Sequence, residues 1–399
     1  MPYHALKVQR VNTTTANAQS DVAIAALDTG GFAINWSSTY QDGATYGVYG
    51  RAYSASGTVI AGETRLSDAA AYITETSLAA RSGGGWISTY SVYGGDGSGY
   101  GIFAQMFRGD GKAVGKELQI NSTEADNQQD SDVALLSTGN FAISYASWNS
   151  AASNYDVLLQ RIDKSGKDLG GEVRIGSAGT IDQDEASVAA LRQGKFAVVY
   201  SDGSIDGSWE GIGLQLFNAN GSKAGGPKLV NTDTSSIQSD ADIVMLKNGS
   251  FIVTWQSAAD GDYDIRFQQF AANGNRMGGE IAVNDRITGD QDAASIAALA
   301  SGGFVVVWRD RSTSIMAQIY DAKGDEVGSN LKISGLNDSQ STYYESAPAV
   351  AGLENGDFVV SWSGLDNQTG SYETYRRTYD FTSTSAIDHA IDANNDFLL

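Results

Sequence analysis

A repeat of about 54 residues runs through nearly the whole chain and restricts the folds open to it. Each unit contains a short apolar run, and the last residues of these runs are spaced 53 to 55 positions apart. The seven anchor residues are Leu27, Arg81, Leu136, Leu191, Leu246, Leu299 and Leu353. A steady period in this range is typical of solenoids, arrays and propellers, whose units share a continuous core. One repeat domain is therefore predicted for the 399 residues, although length alone would suggest two or three domains.

The contents of the unit favour a propeller over a helical solenoid. An alanine-rich first strand, such as residues 22–27, leads through a glycine turn into a second strand that is apolar on both faces, such as residues 304–308. A polar loop, a third strand such as residues 100–107, another glycine turn and a fourth strand such as residues 117–121 complete the unit. No helical periodicity is evident. We predict an all-β fold, a seven-bladed β-propeller of four-stranded antiparallel blades spanning residues 3–381.

The two ends of the repeat region complement each other. The seventh unit has no fourth strand after its third strand, which ends near residues 375–379. Residues 6–12 resemble the fourth strands that end in Val230-Asn231 and Val283-Asn284. We predict that this N-terminal strand completes the last blade, because closure removes the sheet edges that an open array would expose.

Composition argues against several classes of function. The formal net charge is −21, so no general attraction to nucleic acid or to an anionic membrane surface is expected. The chain has no cysteine, and its two histidines, His4 and His389, lie near opposite ends, which disfavours thiolate or imidazole chemistry in the body. No window has the length and apolarity of a transmembrane helix, and no signal-peptide core is visible.

Comparison of the seven units identifies positions with a structural role. Two aromatic positions recur in every second strand, and we interpret them as core between blades. They are occupied by Phe32, Trp86, Phe141, Phe196, Phe251, Phe304 and Phe358, and by Trp36, Tyr90, Tyr145, Tyr200, Trp255, Trp308 and Trp362. Every third strand carries Arg or Gln, from Arg51 in the first unit to Arg377 in the last, and we expect it to hydrogen-bond to the neighbouring blade.

An acidic position near the start of the first strand suggests a metal site. It lies six residues before the anchor in the first five units, whereas the last two have Ala293 and Ala347. The five acidic residues are Asp21, Glu75, Asp130, Glu185 and Asp240. Carboxylates around a narrow rim repel one another unless a cation relieves them, so we predict Ca²⁺ at the channel mouth. The alternative is that these side chains cap turns or point into solvent.

The loop between the second and third strands is predicted to lie on the same rim and to bind a ligand. It carries the acidic residues Asp42, Asp96, Asp206 and Asp260. Aromatic residues follow at Tyr46, Tyr100, Tyr155, Trp209, Tyr263 and Tyr372. Aromatic rings that stack on sugar C–H surface, beside carboxylates that accept from hydroxyls, suit glycan binding, and repetition would add avidity. The alternative is that Asp and Gly are ordinary turn residues here.

The unit resembles repeats of large bacterial secreted proteins of the RTX and adhesin type. The resemblance is carried by Asp290-Gln291, by residues 302–308 (Gly-Gly-Phe-Val-Val-Val-Trp) and by residues 321–324 (Asp-Ala-Lys-Gly). The RTX nonapeptide array itself is absent. Residues 382–399 are predicted to be a C-terminal tail, whose last four residues, Asp396 to Leu399, are similar to the uncleaved signal of type I export. An extracellular location follows from this resemblance.

These features favour a secreted, non-enzymatic binding or adhesion module for a glycan or cell-surface polysaccharide, with Ca²⁺ as a cofactor. A protein-interaction scaffold or self-assembling surface protein is one alternative, with a protein partner in place of the glycan. A glycosidase or lyase is another, since Glu75, Glu185, Asp206 and Glu210 offer carboxylates. No unit shows an acid set that differs clearly from the others, so no catalytic residue is assigned.

Overall fold

The computed structural model describes residues 3–41, 43, 46–67, 72–176, 181–207, 209–258, 261–286, 288–311, 314–334 and 340–381, with the backbone alone for residues 340–344. These residues form seven separate antiparallel sheets, each with four strand positions. The one helical element among them is a 3₁₀ turn, Arg192–Gly194. None of the described residues belongs to a helix long and apolar enough to span a membrane. The predicted seven-bladed propeller is confirmed.

The blades are numbered 1 to 7 along the chain, and each runs from an inner strand to an outer one. The inner strands are Gln19–Ala26, Ile73–Arg81, Gln128–Leu135, Gln183–Ala190, Gln238–Met245, Gln291–Ala298 and, in two segments, Gln340–Glu345 and Ala349–Gly352. The second strands are Phe32–Thr39, Gly85–Tyr93, Phe141–Asn149, Phe196–Asp202, Phe251–Ser257, Phe304–Asp310 and Phe358–Asp366. The third strands are Tyr46–Tyr53, Tyr100–Phe107, Asn154–Ile162, Gly211–Phe217, Asp264–Phe270, Ser314–Tyr320 and Ser371–Phe381. The outer strands of blades 1 to 6 are Val59–Arg65, Ala113–Gln119, Val173–Arg174, Lys228–Leu229, Arg276–Ala282 and Leu331–Lys332.

The blades form a closed ring around an axis. Each inner strand lies beside the inner strand of the next blade, and the inner strand of blade 7 lies beside that of blade 1. The outer position of blade 7 is occupied by Tyr3–Ala5 and Gln9–Arg10, which pair antiparallel with Ser371–Phe381. The N–H of Thr374 donates to Asn12 Oδ1 at 2.9 Å, just beyond these short strands. The N-terminal segment therefore forms the edge of the last blade.

The apolar core is divided among the gaps between blades. Seven buried clusters occur in the described chain, and each is shared by two neighbouring blades, blades 7 and 1 included. The two recurring aromatic positions of the second strands are all buried, with at most 1 % exposed, as in Trp36 and Trp308. Their predicted role as core between blades is confirmed. Because this core surrounds the axis, the sites available to ligands lie on the two ends of the ring.

The polar residues of the third strands differ from the prediction in where they bond. Five glutamines donate to carbonyls of the outer segment of their own blade and not of the neighbouring one, as Gln105 does to Val114 at 3.2 Å. The two arginines do cross between blades, since Arg51 donates to the carbonyl of Val11 and Arg377 to that of Ile333. A short amide reaches only the adjacent strand, whereas a guanidinium spans the gap to the next blade.

Strand pairing determines which loops share an end of the ring. In blade 1, Gln19 at the start of the inner strand pairs with Ser38 near the end of the second strand, and the third strand begins again at Tyr46. The starts of the inner strands and the loops between second and third strands therefore lie at one end, here called the mouth face. The predicted site residues that the structure describes, all but Asp42 and Asp260, belong to this face.

Candidate functional site on the mouth face

The predicted metal-binding position lies on a β-bulge near the start of the inner strand. The pairing register shifts there in blades 1 to 6, and the bulged residue adopts a left-handed backbone conformation. The φ angles are 48° for Asp21, 53° for Glu75, 55° for Asp130, 47° for Glu185, 55° for Asp240 and 51° for Ala293. Aspartate tolerates this conformation better than most residues. In blade 7, Pro348 separates the two inner segments, because proline cannot donate to the ladder.

Two of these five acidic side chains bond to the next blade. Glu75 Oε2 accepts the N–H of Asp130 at 2.8 Å, and Glu185 Oε2 accepts the N–H of Asp240 at 2.7 Å. Asp21 accepts the hydroxyl of its neighbour Ser20 at 3.1 Å. At this position the longer side chain of glutamate reaches the backbone of the next blade. The predicted ring of five therefore contains two hydrogen-bonded cross-blade pairs, 75–130 and 185–240, while Asp21 is an electrostatic neighbour of Glu75.

Two further aspartates lie deeper in the channel, two residues after the bulge in blades 3 and 5. Asp132 accepts hydrogen bonds from the Ser77 hydroxyl at 2.7 Å and the Val188 N–H at 2.8 Å, and Asp242 accepts from the N–H of Ile296 at 3.0 Å. Burial raises the pKa of both carboxyls, that of Asp242 to about 6 with Asp132 as the next cause. Sequence reasoning did not single out either residue.

The hydroxyl of Ser187 lies between these two carboxyls. Its oxygen is 3.1 Å from Asp132 Oδ2 and 2.9 Å from Asp242 Oδ1. A serine hydroxyl has one hydrogen to donate. One of the two contacts therefore needs its proton from a carboxyl, which agrees with the raised pKa values of both aspartates.

These residues line a cavity at the channel mouth, here called the channel cavity. Its volume is about 460 Å³. The lining comprises Thr76, Ser77, Asp130, Asp132, Glu185, Ala186, Ser187, Asp240, Ala241, Asp242 and Ala294. Burial and the neighbouring Glu185 raise the pKa of Asp240 to about 7, and burial and Asp130 do the same for Glu75. The cavity holds five carboxyl groups and no basic side chain in its lining, so it favours protons or cations.

A second group of carboxyls, here called the acid trio, lies on blade 4. It consists of Asp184, Glu185 and Glu210, and one carboxylate oxygen of each lies within 4.8 Å of the other two. Burial, then Glu185, raises the pKa of Asp184 to about 7. Burial, then Glu185 and Asp184, raises the pKa of Glu210 to about 7 as well. Groups with such values exchange protons near neutral pH, and they are typical of functional sites.

An exposed tyrosine cluster covers the mouth face of blades 1 and 2. It consists of Tyr40, Tyr46, Tyr72, Tyr93 and Tyr100. The rings of Tyr46 and Tyr72 lie 3.9 Å apart between centroids and their hydroxyls are 2.8 Å apart, while Tyr40 lies 6.1 Å from Tyr46. Tyr93 packs edge-on against Tyr100 at 5.2 Å, and Tyr72 is an electrostatic neighbour of Tyr100. The sequence pattern indicated Tyr46 and Tyr100, but not the other three.

The remaining predicted aromatic residues are distributed around the ring. Tyr155 packs against Trp148 at 5.0 Å in blade 3, beside a cavity of about 450 Å³. Trp209 directly precedes Glu210 of the acid trio and is 74 % exposed, the highest value among the exposed large apolar side chains described. Tyr263 directly precedes the third strand of blade 5, and its N–H donates to Asp290 Oδ1 at 3.2 Å. Tyr372 lines a cavity at blades 6, 7 and 1.

Two of the predicted acidic ligands hydrogen-bond within their own blades. Asp96 accepts from the Asn121 amide at 2.8 Å and the Ser98 N–H at 3.2 Å, and Asp206 accepts from the Asn231 amide at 3.4 Å. Each carboxyl lies over a glycine of the third strand, Gly101 or Gly211, where an added Cβ would lie 3.0 Å or less from it. These carboxyls are thus turn-stabilising groups. Asp42 and Asp260 lie outside the described residues.

The cavity at blades 6, 7 and 1 has a different character and is here called the arginine cavity. Its volume is about 520 Å³. Its lining comprises Ala18, Gln19, Ser20, Arg309, Asp310, Arg311, Glu345, Ser346, Ser363 and Tyr372. Arg309 donates through Nε and Nη2 to the two oxygens of Asp292, at 2.7 and 2.9 Å, and Arg311 donates through Nε to the same carboxylate. The sequence contains a signal for this site that the sequence analysis did not use. The residue after the recurring aromatic is Arg only in blade 6.

Comparison with known proteins extends the fold assignment. No protein-family model and no curated protein sequence matches the chain. Among solved structures, a protein of unknown function from Dyadobacter fermentans aligns with a TM-score of 0.57 and 9 % identity, over 95 % of this chain and 99 % of that one. The α-L-arabinofuranosidase of Fusarium graminearum aligns with a TM-score of 0.51 and 12 % identity, over 77 % of this chain and 92 % of that one. A Hadza microbial sialidase gives the same score and identity, over 84 % and 73 %. At these identities the likeness concerns the fold.

Proposed function

We propose that this protein is a carbohydrate-active propeller that holds a glycan on its mouth face and cleaves a glycosidic bond at the acid trio. The observation that carries the proposal is the approach of three carboxyls, through one oxygen each, to within 4.8 Å of one another, with the exposed Trp209 directly before Glu210. Glycoside cleavage uses a pair of carboxyl groups, and the usual separation is about 5–5.5 Å in retaining enzymes but about 6.5–9.5 Å in inverting ones. The trio is closer to the retaining arrangement.

The pKa values suit the proposed chemistry. Asp184 and Glu210 both have pKa values near 7, so together they hold a proton at neutral pH. One carboxyl can then protonate the leaving oxygen while the other, ionised, attacks the sugar or activates water. In this proposal Glu185 is a positioning residue. It is held by hydrogen bonds from Ser201 at 2.9 Å and from the Asp240 N–H, and its charge raises the pKa values of its two neighbours.

The aromatic side chains provide the binding surface in this proposal. The tyrosine cluster, the Trp148–Tyr155 pair and Trp209 form an arc over blades 1 to 4 of the same face. Exposed rings stack on the C–H faces of sugars while their hydroxyls bond to sugar hydroxyls. The arabinofuranosidase and the sialidase described above act on carbohydrates, as their names state, and this agrees with a glycan as ligand. The shared fold by itself does not determine function.

The test is a screen of neutral and acidic oligosaccharides for both binding and release of reducing ends. Glu210→Gln is expected to lower the rate of cleavage about 10²- to 10⁴-fold while binding is retained, because the amide cannot transfer the proton. Glu354→Gln is the matched control, since Glu354 is exposed in a turn at the opposite end of the ring. Tyr93→Ala is expected to weaken binding. Turnover that is unchanged in Glu210→Gln, or the absence of any binding or turnover, would reject the proposal.

A second candidate function, glycan binding supported by Ca²⁺ without cleavage, is favoured by the same trio. Ca²⁺ holds its oxygen ligands at about 2.3–2.6 Å, so ligands on opposite sides lie roughly 4.6–5.2 Å apart. The trio's spacing fits this range, with Glu185 the one member of the predicted metal set that belongs to it. In this case Ca²⁺ at a hundred times its Kd should raise the free energy of unfolding by about 2.7 kcal/mol. Chelator should reverse the effect, and Glu210→Gln should remove it.

Extracellular location and type I export stay predictions, since residues 382–399 lie outside the described residues.

A further inference from the structure

The arginine cavity displays its guanidinium groups and not their partners. Arg309 and Arg311 line it, whereas Asp292 and Asp290, the carboxylates that pair with them, do not. Asp292 is buried, with 5 % of its side chain exposed, while the side chain of Arg311 is 56 % exposed. A ligand that enters the cavity therefore meets the arginines first.

The geometry leaves hydrogen-bond donors for such a ligand. A guanidinium has five N–H donors, and Arg309 uses two on Asp292 and one on the carbonyl of Glu345, at 3.1 Å. The two-point bond to Asp292 fixes the plane of the group before any ligand arrives. A preorganised guanidinium loses little conformational freedom on binding, and it matches a planar carboxylate.

The surrounding charge decides where an anion can bind on this face. The chain carries a net charge of −21, and the channel cavity is lined by five carboxyls. In the arginine cavity the lining carboxyls are Asp310, which pairs with Arg286, and Glu345, which accepts from the Ser334 hydroxyl and the Ile315 N–H. Burial raises the pKa of Glu345 and so disfavours its charge. An anionic group is therefore repelled by the channel cavity and accommodated here.

We propose that the arginine cavity is a subsite for one acidic sugar residue, whose carboxylate binds Arg309 and Arg311. The proposal rests on the proposed glycan function and adds a substrate class to it. A volume of about 520 Å³ is in the usual range for small-ligand pockets. Because the rest of the face is acidic, the ligand is a largely neutral glycan that carries a single carboxylate and not a polyanion. Ser20, Ser346 and Tyr372 also line the cavity, and their hydroxyl groups can hydrogen-bond to sugar hydroxyls.

The experiment compares a neutral oligosaccharide that ends in one hexuronic acid with the same compound after reduction of its carboxyl group. Binding of both is measured by calorimetry to the wild type, to Arg311→Gln and to Arg108→Gln. Arg108 is the matched control, since its side chain is also 56 % exposed but lies in a turn at the opposite end. We expect the acidic compound to bind at least 10-fold more tightly than the reduced one, and this preference to disappear in Arg311→Gln only. Arg309→Lys, which keeps the charge but not the fork, should lower the preference about 3-fold or more.

The outcomes separate this proposal from the proposed function. Equal binding of the two compounds in the wild type overturns the subsite and leaves glycan binding intact. Arg311-dependent binding of the acidic compound with no binding of the reduced one and no cleavage supports the subsite and rejects the proposed function. Inorganic phosphate that competes as well as the acidic sugar indicates a general anion site and overturns the proposal.

Discussion

Blades 4 and 6 place an aspartate at the same position and surround it in opposite ways. Asp184 and Asp292 each precede the bulged residue of their inner strand and pair with the residue after the recurring aromatic of the second strand. In blade 4 that partner is Ser201, and in blade 6 it is Arg309. Burial with like charges raises the pKa of Asp184 to about 7, whereas Asp292 is bound by two guanidinium groups.

The residue on the bulge accounts for the choice of partner. Blade 4 has Glu185 there, which accepts the Ser201 hydroxyl and adds negative charge, whereas blade 6 has Ala293. An alanine leaves room for the long side chain of Arg309 above the strand. One repeat therefore produces a proton-holding acidic site in one sector and a neutral, arginine-presenting site in another. The difference shows that the site chemistry comes from few substitutions on a fixed backbone.

The largest effect is expected when blade 6 is given the partner of blade 4. Arg309→Ser leaves the buried Asp292 with Arg311 as its remaining partner. Breaking a buried ion pair costs roughly 3–5 kcal/mol, and we expect about 3 kcal/mol here because one guanidinium remains. Urea unfolding measures this loss at pH 5 and pH 8. A loss below about 1 kcal/mol would show that the pair contributes little to stability.

The second prediction concerns pH. The folded-state pKa values of Glu75, Asp184, Glu210 and Asp240 are raised to about 7, so the folded protein binds more protons than the unfolded chain above about pH 4. The stability that these four groups contribute is therefore greatest below their unfolded-state pKa values and is lost as the pH rises through about 7. We expect a lower free energy of unfolding at pH 8 than at pH 5, by about 1.4 kcal/mol for each unit by which folding raises the pKa of one of these groups. The measurements are made with a chelator present. Equal stability at both pH values would contradict the raised pKa values of these four carboxyl groups.

The architecture could be predicted because it depends on patterns repeated seven times. The period, the aromatic positions such as Phe32 and Trp36, and the glycine turns each recur, so one unit supports the interpretation of the next. The destination of the third-strand glutamines could not be derived in the same way. Whether Gln105 bonds within its blade or across depends on side-chain reach, which the pattern does not contain.

The sites were less accessible to sequence reasoning because they depend on what the repeat does not hold constant. The bulge position drew attention to Glu75 and Glu185, but the pattern could not show that each bonds to the next blade. Tyr72 precedes the inner strand of blade 2 and Tyr93 ends its second strand, so the two meet only in the folded blade. Arg309 was visible as a departure from Ser, Ala or Gln at its position, yet its meaning required the contact with Asp292.

A smaller effect, with a sign that separates the two blades, is expected from replacing the paired aspartates. Asp184→Asn removes a carboxyl that is destabilised by its neighbours at pH 8, so we expect about 1 kcal/mol of stabilisation there and none at pH 5. Asp292→Asn should destabilise at both pH values, since it leaves Arg309 half-buried without its carboxylate. The same urea experiment applies to both variants. The comparison fails if the two variants change stability in the same direction at pH 8.

The smallest effect is expected at Glu345, where blade 7 departs from the glutamine of blades 1 and 3 to 6. In blades 3, 5 and 6 the glutamine oxygen accepts from an asparagine amide, as Gln128 does from Asn121 at 2.9 Å. Glu345 instead accepts from the Ser334 hydroxyl at 2.7 Å and the Ile315 N–H at 2.9 Å. A glutamine oxygen can accept both bonds, so Glu345→Gln should change the free energy of unfolding by less than about 0.5 kcal/mol at pH 7. A large loss of stability would show that the carboxylate itself is needed beside the arginine cavity. An unchanged stability with altered preference for the acidic sugar would assign Glu345 to the ligand and not to the fold.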